Sequence, residues 1–396
     1  MSDKPRVLVF IDYFLPGFRS GGPVPLLKGW LDGLGSEIQF DVITRNHDWH
    51  QDLAYPNTPE GKWLPIESIG QGNQARIQYW EPRLFSLERV QTILRENQYQ
   101  SVLLNSFFSS WTRQILWWRR FQRIELGQVL LLPHGEFSPA ALKIKSIKKS
   151  AYIQVGKRLK LFTGVNAIAL SDAELTDLQR QSIFSQATVS APLLADKQLK
   201  KSNHEQRTSL ESLRLIFLAR INPMKNLEFL LSALDGINIP VRLDVWGPAD
   251  AGFPDYVNQV KREALNISHQ KDISQVQIEF KGELDPSQAS RVWQEQDLMV
   301  LPSRSENFGF VIWESLQNDV PCLISDRTSW VWLGSRPGLW QEPIENPSQW
   351  QKKLLEVNDL VKTKRDEIVK QVAFVREEVM KRQQTVKIQL LKLLSR

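Results

Sequence analysis

The chain has 396 residues, of which 42% are hydrophobic and 24% charged, and a formal net charge of +6. That length exceeds what one hydrophobic core fills, so two domains of ordinary globular composition are expected. The single cysteine, Cys322, excludes an intrachain disulfide framework and a multi-cysteine zinc site. It lies in an apolar run and reads as a packed thiol rather than a nucleophile. The basic balance admits anionic partners without choosing between nucleotides, nucleic acid and lipid.

The first residues run directly into an apolar strand at 7–11, too short for a signal-peptide core. No stretch approaches the roughly 18 apolar residues of a membrane span, so the expected location is cytoplasmic. Apolar runs then recur at 40–43, 102–104, 129–132 and 167–170, with helical patterns at 24–34, 87–97, 111–124 and 173–181. This alternation implies βα units and a parallel sheet. Residues 196–210 turn polar and read as a linker. A second series follows, with strands at 213–218, 242–246, 276–280, 298–301 and 322–325. Near the end Ile368, Val372, Val375 and Val379 keep helical spacing, and a separate helix is expected over 385–394. The expected architecture is α/β with two doubly wound, Rossmann-like domains, 1–200 and 201–378, facing across a cleft. A last helical piece, 379–396, is expected to return to the first domain.

The most informative segment is Ser303-Arg-Ser-Glu306-Asn-Phe308-Gly309-Phe310-Val-Ile-Trp-Glu314. It reads as the loop and helix that follow a strand, with Glu306 in the loop and Glu314 about two turns into the helix. Ligands of open parallel sheets bind outside the carboxyl ends of the strands. Two carboxylates there, beside the N–H groups of a helix start, suit a polyol and an anion held together. The strand at 213–218 ends in Ala219-Arg220-Ile-Asn-Pro-Met-Lys225, which puts two cations on another strand-to-helix loop. Arg offers a bidentate fork and Lys a point charge, as a diphosphate needs; a pair of plain surface cations is the alternative.

The strand at 7–11 leads into Gly21-Gly22-Pro23, where glycine permits close approach and Pro23 suits a first helical turn. A plain turn explains this loop equally well, and no dinucleotide fingerprint is present. After the strand at 129–132 come Pro133-His134-Gly135-Glu136, with His134 placed to exchange a hydrogen bond with a sugar hydroxyl. Glu136 equally serves the next helix start. Gly247, after the strand at 242–246, either admits a nucleotide or merely ends the strand.

From Phe137 to Ser171 there is no acidic residue, while Lys143, Lys145, Lys148, Lys149, Lys157, Arg158 and Lys160 interleave with apolar residues. Such a segment suits an anionic bilayer surface or an ordinary solvated helix face; no recognition motif supports nucleic acid. Trp111, Trp117 and Trp118 share a helix with Arg113, Arg119, Arg120 and Arg123. The expected arrangement has the tryptophans in a core and the arginines facing water.

Taken together, these residues resemble the GT-B-fold retaining glycosyltransferases of the GT4 family. The specific match is Glu306 and Glu314, the two glutamates of an E-x7-E motif; Arg220 and Lys225, Gly21 and Gly22, and His134 support it. By that resemblance Glu314 holds the nucleotide ribose and Glu306 the donor sugar's hydroxyls. Arg220 and Lys225 neutralise the leaving diphosphate, and His134 contacts the sugar. The N–H groups of Gly22, Phe308, Gly309 and Phe310 complete the cradle. It implies a UDP- or GDP-linked sugar donor, no metal and no further cofactor, and a saccharide or lipid-linked acceptor. The chain departs from the family after Glu314, where Ser315-Leu-Gln-Asn-Asp319-Val-Pro321 replaces a small-residue run with glycine. The segment 330–340 matches only loosely. A nucleotide-sugar epimerase of the same fold and a catalytically silent sugar-nucleotide or membrane-binding protein are the alternatives.

Overall fold

The computed structural model describes residues 4–66, 75–143, 146–194, 211–269 and 275–395. The expected linker at 196–210 lies outside them, as do Ile144 and Lys145. The chain divides into two compact units: Met1–Ala195 with Arg382–Arg396, and Asp196–Lys381.

The first unit runs β1 (Arg6–Phe10), α1 (Pro23–Leu34), β2 (Gln39–Arg45), β3 (Leu64–Pro65), β4 (Arg76–Trp80), α2 (Leu87–Glu96), β5 (Ser101–Asn105), α3 (Ser110–Phe121), β6 (Gln128–Leu132), α4 (Pro139–Lys143), α5 (Ser146–Arg158), β7 (Val165–Ala169), α6 (Asp172–Gln181) and β8 (Gln186–Val189). Its sheet has the order β3-β4-β2-β1-β5-β6-β7-β8. All pairs are parallel except β3 with β4. The winding reverses at β1, so the carboxyl ends of β1 and β5 flank the switch point where open sheets bind ligands. Central strands such as β5 are buried along their whole length, which is why they read as continuous apolar runs rather than alternating ones.

The second unit runs β9 (Leu213–Leu218), α7 (Leu227–Leu234), β10 (Val241–Trp246), α8 (Pro254–His269), β11 (Val276–Gly282), α9 (Ala289–Gln294), β12 (Leu298–Leu301), α10 (Phe310–Gln317), β13 (Cys322–Ser325), β14 (Leu339–Glu342) and α11 (Pro347–Leu394). Its sheet is parallel, in the order β11-β10-β9-β12-β13-β14. Cys322 is buried in β13, and burial pushes its thiol up to about 12, which removes it from nucleophilic chemistry.

Four strands escape the sequence pattern, the first being β3, only two residues long. β4 has Gln78 in its buried middle, satisfied by the Trp80 indole at 2.7 Å; β8 is an edge strand without an apolar run, and β14 has only two apolar residues. The expected break before residue 385 is absent. Lys381, Arg382, Gln383 and Gln384 are good helix formers, and α11 continues through them; its irregular point is Lys364, with φ −140°. Past Arg382 it is tied down within the first unit. Leu394 accepts from Ser101 Oγ at 2.9 Å, and Gln383 Oε1 accepts from Leu194 N at 2.7 Å. Among the described residues no helix is long and apolar enough to cross a membrane.

Candidate active site

In the second unit the two most telling residues meet. Lys225, on the loop from β9 to α7, forms an ion pair with Glu306, on the loop from β12 to α10. The strands β9 and β12 are neighbours, so the pairing follows from the parallel sheet, which brings both carboxyl ends to one edge. Glu306 also accepts from the buried Ser303 Oγ at 3.3 Å.

Both loops are held by side chains that the sequence alone does not single out. Asn222 Oδ1 accepts from the N–H groups of Met224 and Lys225 at 3.1 and 3.2 Å. Asn226, in the left-handed region at φ 60°, donates to Pro302 O at 3.0 Å and accepts from Arg304 Nε at 3.1 Å. Such cross-links fix the Lys225 backbone relative to the Glu306 loop. Gly247 proves to be a packing residue. A Cβ there would lie 2.0 Å from the Ala219 carbonyl oxygen, next to Arg220, so its bareness admits the close approach of the β9 loop.

Gly309 precedes α10 with φ 77°, and a Cβ on it would come within 2.9 Å of Glu306 Cγ. Glycine is therefore required twice, for the turn and for the room Glu306 occupies. The Phe308 carbonyl accepts from the indole of buried Trp330 at 2.6 Å and from Ser329 Oγ at 3.3 Å. In a trans peptide the carbonyl and the next N–H point oppositely, so this anchor turns the Gly309 N–H away from Trp330. Phe310 is the first residue of α10. Glu314 is the fifth, one turn in rather than the expected two, and is partly exposed, as is Arg220.

In the first unit, Gly21 adopts φ 79° in open space, and α1 starts at Pro23 after Gly22. Pro23 and Pro25 bring no N–H, and that of Val24 donates to Gly21 O at 3.2 Å. The first turn of α1 thus adds few donors beside the expected Gly22 N–H. The loop before it is stapled by buried Asp48, which accepts from Phe18 N at 3.0 Å and Arg19 N at 3.3 Å.

His134 follows β6 in the left-handed region, φ 52°, and its Nε2 lies 3.1 Å from Asn105 Oδ1. Part of the residue stays accessible, yet atoms crowd its ring and burial pushes the imidazole down to about 4. Glu136 does not serve the next helix start. Its carboxyl accepts from Ser106 Oγ at 2.6 Å and from Phe107 N at 2.6 Å, closing the turn after β5; burial raises it to about 7.

On α3, Trp111 is buried and stacks on Phe85 at 4.6 Å, whereas Trp117 is exposed beside Phe121. Arg119 and Arg120 do not simply face water; they donate to Thr163 O and Leu159 O at 2.7 and 3.0 Å. On the basic segment, Lys149 turns inward to Ala141 O at 2.6 Å.

Residues 200–331 match the family model of glycosyl transferases group 1. This segment contains Arg220, Lys225, Gly247, Glu306, Phe308, Gly309, Phe310 and Glu314, and ends just past Trp330. Solved structures share the fold. Anabaena Alr3699/HepE, in complex with UDP and glucose, is similar with a TM-score of 0.69 at 14% identity, covering 99% of each chain. Sucrose-phosphate synthase from Thermosynechococcus elongatus gives 0.70 at 14% identity over 98% of each chain. WaaG, a glycosyltransferase involved in lipopolysaccharide biosynthesis, gives 0.61 at 12% identity over 98% of this chain and 99% of its own. At such identities the likeness shows the fold, which is GT-B. The group 1 segment together with that fold supports a transferase. Among curated proteins none matches the chain.

Proposed function

We propose that the chain is a retaining, metal-independent glycosyltransferase of the GT4 kind. It moves a hexose from a UDP- or GDP-linked sugar to a saccharide or lipid-linked saccharide, in the assembly of a bacterial surface polysaccharide. The observation that carries the reading is the Lys225–Glu306 pair beside Gly309 within the group 1 segment. A cation for phosphate and a carboxylate for hydroxyls stand side by side where a sugar diphosphate has both groups adjacent. Glu314 takes the ribose, Glu306 the sugar hydroxyls, and Arg220 and Lys225 the diphosphate; His134 contacts the transferred sugar. The leaving charge is met by fixed cations and N–H dipoles, which need no reorganisation during the reaction. The departing phosphate oxygen then takes the acceptor's proton on the face it leaves.

Two neighbours lend chemical context: HepE is in complex with UDP and glucose, and WaaG is involved in lipopolysaccharide biosynthesis. The test is incubation with UDP-, GDP- and ADP-sugars without added metal, with NMR of the anomeric proton of any product. Transfer or slow hydrolysis with retained configuration supports the reading, and inversion contradicts it. Release of an altered sugar without acceptor favours the epimerase.

The enzyme works at the cytoplasmic face of an anionic membrane, by this proposal, with segment 143–160 as the contact. Ile147 and Val155 are 85% and 51% exposed, and with Ala151 they form a stripe at four-residue spacing on α5. Lys148, Lys157 and Arg158 flank it, all exposed. Each such cation near an anionic surface contributes about 1 kcal/mol. Sedimentation with anionic but not neutral liposomes, lost in Ile147→Glu, is expected; equal partitioning removes the proposal.

A further inference from the structure

Asn105 is the last residue of β5 and 3% exposed. Its Nδ2 donates to the Phe10 carbonyl, the last of β1, at 3.2 Å, and its Oδ1 lies 3.1 Å from His134 Nε2. These two contacts are linked. An amide that gives its N–H to a carbonyl has only its oxygen left for the ring, and an oxygen can only accept. His134 Nε2 must therefore carry the proton. The turn that presents the ring is fixed separately. His134 and Gly135 are both left-handed, at φ 52° and 77°. The Gly135 N–H donates to Glu174, whose other oxygen accepts from Leu170 N at 2.8 Å. Glu174 is 4% exposed and sits three residues past the α6 N-cap Ser171. It spans the ends of β6 and β7, while Asn105 spans those of β1 and β6. Of the charged groups near this turn, Glu136 accepts from Ser106 and Phe107 and feels the charge of Lys149, and Glu174 accepts from Gly135 and Leu170.

We propose that Asn105 is a positioning residue that holds His134 as the neutral tautomer protonated on Nε2, so that Nδ1 accepts a hydrogen bond from a hydroxyl of the bound sugar. Only the identity of that ligand rests on the glycosyltransferase reading; the tautomer does not. The ligand supplies an O–H donor at this point, so a deoxy or O-methyl sugar is disfavoured there. Burial that pushes the imidazole down to about 4 keeps the ring neutral at physiological pH.

The test is NMR of full-length protein labelled with 15N-histidine, the His134 signals being assigned by their loss in His134→Gln. In the free protein at neutral pH a single tautomer protonated on Nε2 is expected. Asn105→Ala is expected to give a mixture of tautomers. Asn105→Asp, whose carboxylate favours imidazolium, is expected to raise the His134 titration by about one to three pH units. A proton on Nδ1 in the wild type, or an unchanged tautomer in Asn105→Ala, overturns the role of Asn105. If Asn105→Ala does not fold, the wild-type spectrum and Asn105→Asp decide. A UDP-sugar is then added, and separately UDP. A change at Nδ1 with the sugar nucleotide but not with UDP is expected, and bound sugar nucleotide without that change overturns the hydroxyl contact. A protein that binds no nucleotide sugar yet shows the Nε2 tautomer contradicts the transferase reading and leaves Asn105 its role.

Discussion

Lys225 and Glu306, 81 positions apart in sequence, close an ion pair across the ends of two neighbouring strands. Their side chains are 20% and 12% exposed, so each screens the other from an otherwise costly partial burial. A diphosphate that binds here shares Lys225 with Glu306, and the two residues must fail differently when removed. Lys225→Ala is expected to weaken UDP binding about tenfold to a hundredfold, as for loss of a charged hydrogen bond. Glu306→Gln is expected to leave UDP affinity near wild type and lower turnover about 10²–10³-fold. Calorimetry with UDP beside steady-state rates separates the two.

The glycines divide by what surrounds them. Gly247→Ala drives a Cβ against the Ala219 carbonyl, which as backbone has little room to yield. A loss of about 2–3 kcal/mol in urea unfolding is expected. Gly21→Ala meets nothing within 4 Å, so only the left-handed conformation costs, about 1 kcal/mol. Equal losses in the two variants would contradict a steric role for the bare Cα at Gly247.

Stability should depend on pH through Glu136. Its carboxyl is raised to about 7 from 4.5, so the folded state holds the proton more tightly than the unfolded chain. That contribution is complete below about 4.5 and is lost as pH rises through 7. His134, pushed down to about 4 from 6.5, slopes the other way, stabilising the fold as pH rises between those values. The difference between Glu136→Gln and wild type isolates Glu136. The variant should gain on the order of 3 kcal/mol relative to wild type between pH 4.5 and 8. A difference independent of pH would contradict the raised carboxyl.

The second unit was more legible than the first because its chemistry is clustered in sequence. Glu306, Gly309 and Glu314 fall within nine residues, and Arg220 and Lys225 follow a strand that is apolar at every position but Arg214. Asn105, Asn226 and Trp330 carry no local signature. Asn226 reaches Pro302 across 76 positions and Trp330 reaches Phe308 across 22, contacts that exist only once crossovers bring strand ends together. Glu136 shows the reverse case. Its neighbour Pro139 suggested a helix start, but its hydrogen bonds run back 30 residues to Ser106. The missed strands β3, β4, β8 and β14 fail for a plainer reason, since edge position and buried polar residues both break the apolar pattern.

The most direct test of the donor site is equilibrium binding of UDP, GDP and their glucose and mannose conjugates to the wild type and to Lys225→Ala. The wild type is expected to bind one nucleotide series, with affinity dependent on the diphosphate and reduced at least tenfold in the variant. Absence of binding to every nucleotide by the folded wild-type protein, or equal affinity in Lys225→Ala, would contradict it.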